Sequence, residues 1–236
     1  MLNIDLHIHS IASGHSLNTV YEIAKVAKDK GLTHIGITEH GPSMKGAPHE
    51  GYFWISNQVT NLSGVKIYLG IEANILNEKG DIDLNEKLLS KQRIVIAGLH
   101  KKTPYDGMDQ DANTKSIINA IQNPLIKIIA HPYHPEFPIN IERIVQVAYE
   151  TKTLLEINDN LFSRKNRLPE LIERYSVLVK MCKKFQMPVV LNSDAHFAEK
   201  IGSDKNILPI KETIGLNNEM IINYNSQLLF DYLRIE

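Results

Sequence analysis

The sequence predicts an α/β barrel of seven strand–helix units, and three observations predict it. Short β-branched runs recur along the 236 residues, their starts running from Leu2 to Pro188 at intervals of about 31 residues. That interval has room for one strand and one crossover helix. The runs read as continuous apolar segments rather than alternating ones, as strands buried on both faces do. Capped amphipathic stretches lie between several of them. Seven such units come close to the roughly 250 residues of the eightfold barrel class, so a closed barrel with one unit fewer follows.

Strands are expected at residues 2–7, 33–38, 65–71, 93–98, 125–130, 153–157 and 188–192. After the first, Thr19 with Glu22 forms a capping box ahead of an apolar stripe of Val20, Ile23, Ala24 and Ala27, which stops at Gly31. Asn113 is the expected cap of a helix carrying Ile117, Ile118 and Ile121 and halted before Pro124. Leu171, Ile172, Tyr175, Leu178, Val179 and Cys182 mark a further helix before Pro188. No linker, low-complexity segment or charge run divides the chain, so residues 1–236 read as a single domain.

Composition removes several classes. Hydrophobic residues make up 43% and charged residues 22%, which argues against disorder and fibrous repeats. A formal net charge of −1 argues against a nucleic-acid-coating or membrane-adhering surface. No stretch approaches the roughly 18 apolar residues of a spanning helix, and the MLNIDLHIHS start has no secretory pattern. One cysteine, Cys182, fits a reducing cytoplasm.

Histidine stands out: ten are present, and most sit where strands end. His7 and His9 close the first strand, two residues apart and therefore on one side of it. His15 follows in the next loop, and His40 comes directly after the second strand. Glu72 ends the third, His100 the fourth and His131 the fifth, while Asp194 and His196 follow the seventh. In a parallel barrel these nine share one face, where active sites are built. Any one alone would more often be a capped or solvated side chain. Together, burying them without metal would leave charges and donors unpaired at several kcal/mol or so each. His34, which begins a strand, reads as structural, and His49 and His134 as loop residues near the face.

Nine ligands exceed the roughly four of one zinc ion but suffice for two or three if Glu72 bridges. Clustered divalent cations hold a hydroxide at neutral pH and neutralise a phosphoryl group under in-line attack, so phosphate-ester hydrolysis is the expected chemistry. A metal-bound hydroxide is the expected nucleophile. No Gly-x-Ser-x-Gly elbow is present, and Cys182 lies mid-helix. Related amide-cleaving barrels commonly use a carbamylated lysine, and no lysine stands at a strand end here. The loop after the sixth strand, NDNLFSRKNR, supplies Arg164, Lys165 and Arg167; Lys101 and Lys102 beside His100 are a competing pair. An arginine fork suits two phosphate oxygens.

DLHIHS, His15, ITEHG, GIEAN, GLH, AHP and NSDAH resemble, in order, the motifs of the PHP (polymerase and histidinol phosphatase) family. The GIEANI, HP and EIN segments look most like its small stand-alone, YcdX-like phosphoesterases. The resemblance runs from about Asp5 to His196. It implies a distorted (β/α)7 TIM-like barrel with three divalent ions, zinc foremost and manganese or iron as alternatives. His7, His9, Glu72 and Asp194 would hold the first, Glu72, His100 and His131 the second, and His15, His40 and His196 the third. Asp194, His196 and Glu72 are then the catalytic candidates, and Arg164 and His134 the substrate-binding ones. The substrate would be a small phosphomonoester. Rival readings are a histidinol-phosphate phosphatase proper, usually longer, a PHP-type exonuclease or phosphodiesterase, and a non-catalytic metal-binding role. The segment YHPEF after AHP departs from the glycine-rich loop the resemblance leads one to expect.

Overall fold

A computed structural model describes residues 2–235. Seven parallel strands form one sheet curled almost into a barrel: β1 Ile4–Ile8, β2 His34–His40, β4 Val65–Asn74, β5 Ile94–Gly98, β6 Ile128–Ile129, β7 Leu154–Asn158 and β8 Val189–Asn192. A two-residue arm, β3 Asn61–Leu62, pairs antiparallel with the start of β4. The distorted seven-unit barrel is therefore the fold. β2 and β4 run further than expected, so His40 and Glu72 are the last paired residues of their ladder rather than loop residues. The expected strand at 125–130 is shorter and pairs only at Ile128 and Ile129.

Three long helices cover one side: α3 Gln110–Ile121, α4 Ile141–Thr151 and α5 Leu168–Lys184. α1 Val20–Asp29 begins with the expected capping box of Thr19 and Glu22. Two intervals lack a full helix. A short 3-10 turn at Glu50–Ile55 precedes the β3 arm, and α2 Glu86–Leu89 is one turn long. The cap of α3 needs correcting. Asp109 accepts from the Ala112 N–H, whereas Asn113 lies buried inside the first turn. Its amide instead joins Tyr105 Oη, the Met108 backbone and the Pro138 carbonyl, a role its tertiary surroundings impose.

Inside the barrel, Ile4, Leu6, Tyr68, Ile94, Ile96, Ile128, Leu154 and Val190 form an apolar floor. α6 Ser226–Leu233 closes it from below with Leu229 and Leu233. Two residues further along the same strand faces, the lining turns polar: Leu154 gives way to Glu156, and Val190 to Asn192. In β1 the register slips between Asp5 and Ile8, so three steps oppose two of β2. That bulge reverses the alternation. Leu6 packs inward, Ile8 packs outward against Ile23 of α1, and His7 and His9 are turned into the barrel mouth.

The β8–β1 seam is stitched rather than laddered. At its upper end the His9 N–H donates to the Ala195 carbonyl at 2.9 Å. Lower down, the Leu6 N–H donates to Asn192 Oδ1. Asn223, from the C-terminal tail, fills the gap between strands. Its Oδ1 accepts from the Leu191 N–H at 2.8 Å, and its Nδ2 donates to the carbonyls of Ile4 and Leu191. Asn223→Ala would orphan these buried backbone groups, each costing about 1–3 kcal/mol. We expect denaturant unfolding to lose about 2–4 kcal/mol, and a loss below about 0.5 kcal/mol would show that the seam closes without it.

Candidate active site

Glu72 is the hub of the site. Its Oε1 lies 3.0 Å from both His100 Nε2 and His131 Nε2, and 3.3 Å from His7 Nε2. Its Oε2 lies 2.7 Å from His40 Nδ1 and 3.4 Å from His9 Nε2. Asp194 Oδ1 stands 3.3 Å from His9 Nε2, 3.6 Å from His7 Nε2 and 3.4 Å from His196 Nδ1. His15 Nε2 completes the group, 3.2 Å from His40 Nε2 and 3.0 Å from His196 Nε2. All nine side chains singled out from the sequence thus converge at one end of the barrel. Positive φ at His131 (30°) and Asp194 (51°) marks local backbone strain, which concentrates at functional sites.

Neighbouring groups orient the rings, and these are residues the sequence reading gave no role. His7 Nδ1 sits 2.8 Å from Glu156 Oε1. His9 Nδ1 sits 3.0 Å from Ser13 Oγ, whose hydroxyl donates to Glu39 Oε2. Ser13 Oγ also accepts the His40 N–H, so its bonding capacity is full. With Nδ1 protonated in each ring, the bare Nε2 atoms of His7 and His9 face one another at 3.0 Å. Two lone pairs so placed repel unless a cation lies by them. His100 Nδ1 is moreover buried without a hydrogen-bond partner, and His40 Nδ1 and Glu72 Oε2, though 2.7 Å apart, are not aligned for a hydrogen bond with one another. Three triads, His7–His9–Asp194, His9–His40–His196 and His40–Glu72–His100, each bring ligand atoms within 4.8 Å of one another. The donor set fits divalent metal, and orienting carboxylates behind ligating histidines are what such centres use. Glu39 and Glu156 had one legible signal, a carboxylate inside an otherwise apolar strand.

Charge follows geometry. Burial raises the Glu72 carboxyl, but His7, His100 and His40 outweigh it and hold the group well below the carboxylate range. Burial would lower His7, yet Glu72, Glu156 and Asp194 raise it well above its ordinary value. Burial lowers His40 to about 4, a neutral imidazole at neutral pH.

Beyond the histidines opens a cavity of about 410 Å³. Met44, Leu99, Phe137 and Leu161 supply apolar wall, and Arg164 and His134 stand on its rim. Arg164 Nη1 is 3.0 Å from His134 Nε2. Burial first, then the nearby His131 and Arg164, lowers His134 to about 3, so it stays neutral beside the guanidinium. Lys165, Arg167 and Lys102 do not line this cavity, and Arg167 pairs outward with Glu170. Lys101 does line it, but its Nζ is engaged by the Asp106 carbonyl at 2.6 Å. His49 lies apart, accepting the Gly51 N–H, and His34 stacks against Phe230 below the barrel.

A family model described as PHP domain matches residues 5–162. The chain belongs to the PHP domain family. A protein from Syntrophotalea carbinolica called a probable phosphatase is 37% identical over 98% of this chain and 95% of its own length. Another so called, from Caldanaerobacter subterraneus, is 39% identical over 99% of this chain and 91% of its own. Among solved structures, histidinol phosphate phosphatase from Lactococcus lactis, complexed with zinc, L-histidinol and phosphate, superposes with a TM-score of 0.62 at 19% identity. It covers 91% of this chain and 94% of its own. An archaeal ribonuclease P structure also contains a similar chain, at TM-score 0.63 and 14% identity, covering 98% of this chain and 90% of that one. At such identities the two structures speak for the fold alone. This PHP chain has no helix long and apolar enough to cross a membrane among its described residues.

Proposed function

We propose that this PHP protein is a metal-dependent phosphatase acting on a small phosphomonoester. The observation that carries the reading is the convergence of nine ligand-competent side chains, with the buried Glu72 carboxylate among them meeting five histidines. In this reading three divalent ions, zinc foremost, bind. His7, His9, Glu72 and Asp194 hold the first, Glu72, His100 and His131 the second, and His15, His40 and His196 the third. When bound, they neutralise phosphoryl charge and lower the pKa of coordinated water to about 7. The chain's own residues shape the rest. Glu156 and the Ser13–Glu39 pair keep His7 and His9 with Nε2 bare. Asp194 and His196 meet the cavity at the ligand cluster, where attack would occur. The phosphatase names of the two relatives and the zinc and phosphate of the Lactococcus complex support the same reading.

In this reading Arg164, whose guanidinium meets His134 at the cavity, would clamp the phosphate through its planar fork. Metal-loaded protein is expected to hydrolyse p-nitrophenyl phosphate and leave bis(p-nitrophenyl) phosphate largely intact. The reverse preference would make it a phosphodiesterase instead. Arg164→Ala should keep its full metal content yet lose about tenfold or more in kcat/KM, about 1.4 kcal/mol or more. Unchanged kinetics there, with the loss in Lys102→Ala, would move the clamp to the loop after β5.

A further inference from the structure

The opposite end of the barrel carries a second polar recess. Between the starts of β5 and β6 and the end of α6 lies a cavity of about 600 Å³. Lys91, Arg93, Lys127 and Arg234 line it. A neighbouring cavity of about 220 Å³ shares Lys127 and Arg234 and adds Lys152. Among the described residues neither lining contains an aspartate or a glutamate, although the chain holds 27 of them against 26 lysines and arginines. Among the described residues none of the five cations has a carboxylate partner within ion-pair distance; Lys127 Nζ donates to the Pro124 carbonyl at 2.6 Å, one bond of the three an ammonium can make. Arg93 Nε is buried without a hydrogen-bond acceptor. Burial, with Arg234 nearby, lowers the Lys127 ammonium, so like charges are held together against their repulsion.

Location separates this recess from the metal-ligand cluster. Arg93 immediately precedes Ile94 of β5, and Lys127 immediately precedes Ile128 of β6, whereas His100 and His131 follow the far ends of those strands. The apolar floor lies between. Asn57 adds an amide to the wall, while Gln92 Nε2, Ser90 Oγ and Thr151 Oγ already donate to backbone carbonyls. Crowded cations suit a tetrahedral dianion, and arginine holds it through its fork. The larger cavity exceeds what one inorganic phosphate fills, and a single recess in a chain of net charge −1 suits a small ligand better than a nucleic-acid strand.

We propose that this recess is a second phosphoryl-group site, anchored by Arg93, Lys127 and Arg234 and shaped for a phosphate-bearing small molecule. Lysine acetylation followed by mass spectrometry reads it directly, with metal-loaded protein at constant ionic strength. Inorganic phosphate and the non-hydrolysable phenylphosphonate are the probes. Either should slow acetylation of Lys127 several-fold while exposed Lys180 is unchanged, and stronger protection by phenylphosphonate would mark an organic phosphate as the occupant. Arg93→Gln/Arg234→Gln should raise the probe concentration for half-protection about tenfold or more, with p-nitrophenyl phosphate turnover unchanged. If the double variant does not fold, Arg234→Gln alone, at an exposed position, should shift protection in the same direction. Equal protection by potassium chloride, no protection at all, or protection indifferent to both variants would overturn the site.

Discussion

Glu72→Ala is expected to strip more than one metal ion per chain and to lower kcat/KM for a phosphomonoester about a thousandfold or more, roughly 4 kcal/mol. The size follows from its position. Both oxygens are shared, Oε1 among His7, His100 and His131, and Oε2 between His9 and His40. Its two oxygens thus lie within 3.4 Å of nitrogen atoms from five of the candidate ligands. His15 meets only His40 and His196 through its Nε2, so His15→Ala should empty one site and leave the others filled. Elemental analysis of both variants beside the parent protein decides the matter. Equal metal losses from the two would mean that Glu72 does not bridge.

Glu156→Ala should be the most destabilising single change near the site. Its Oε1 is met by His7 Nδ1 at 2.8 Å and Asn192 Nδ2 at 2.9 Å, and its Oε2 by the His131 N–H at 2.8 Å and Asn158 Nδ2 at 3.0 Å. All are buried, so alanine would leave four donors facing a void. Breaking one partner of a buried charged network costs about 3–5 kcal/mol, which for a chain of this size lowers Tm by roughly 6–20 °C. Burial raises this carboxyl, but His7 and His131 outweigh it and hold it below its ordinary range. Its stabilising contribution is therefore present above the unfolded carboxylate value and lost as pH falls through the folded one. The Tm gap between parent and variant should accordingly narrow on acidification below about pH 4.5. Metal affinity should also fall about 10–100-fold, because His7 loses the partner that fixes its tautomer. A Tm within 2 °C of the parent would contradict this account.

Much of the ligand set was legible because ligands at strand ends are local features. A His-x-His at the end of β1, a carboxylate near the end of β4 and histidines after β5 and β6 need only strand periodicity and parallel pairing to share a face. The residues that orient them were not legible in that way. Glu156 lies 149 positions from His7, and Glu39 reaches His9 through Ser13, 26 positions before it. Their one local signal is a carboxylate within an apolar strand; only folding reveals which histidines they meet. The cap of α3 shows the same limit. Asn113 has a capping side chain, but Asp109 four residues earlier takes that role, and the tertiary contacts of Tyr105 and Pro138 claim Asn113.

By itself the sequence determined the order of strands, their burial, the seven-unit count and the chemistry available at one barrel end. These follow from periodicity and residue type, which act over a few neighbouring positions. Tertiary structure decided the rest. The β1 bulge turned His7 and His9 inward while Leu6 stayed in the floor. Asn223 from the tail closed the seam between β8 and β1. Arg93, Lys127 and Arg234, scattered over 142 positions, were gathered around one recess. Each depends on closing the sheet upon itself, which brings together residues far apart in the chain and leaves no periodic trace in the sequence.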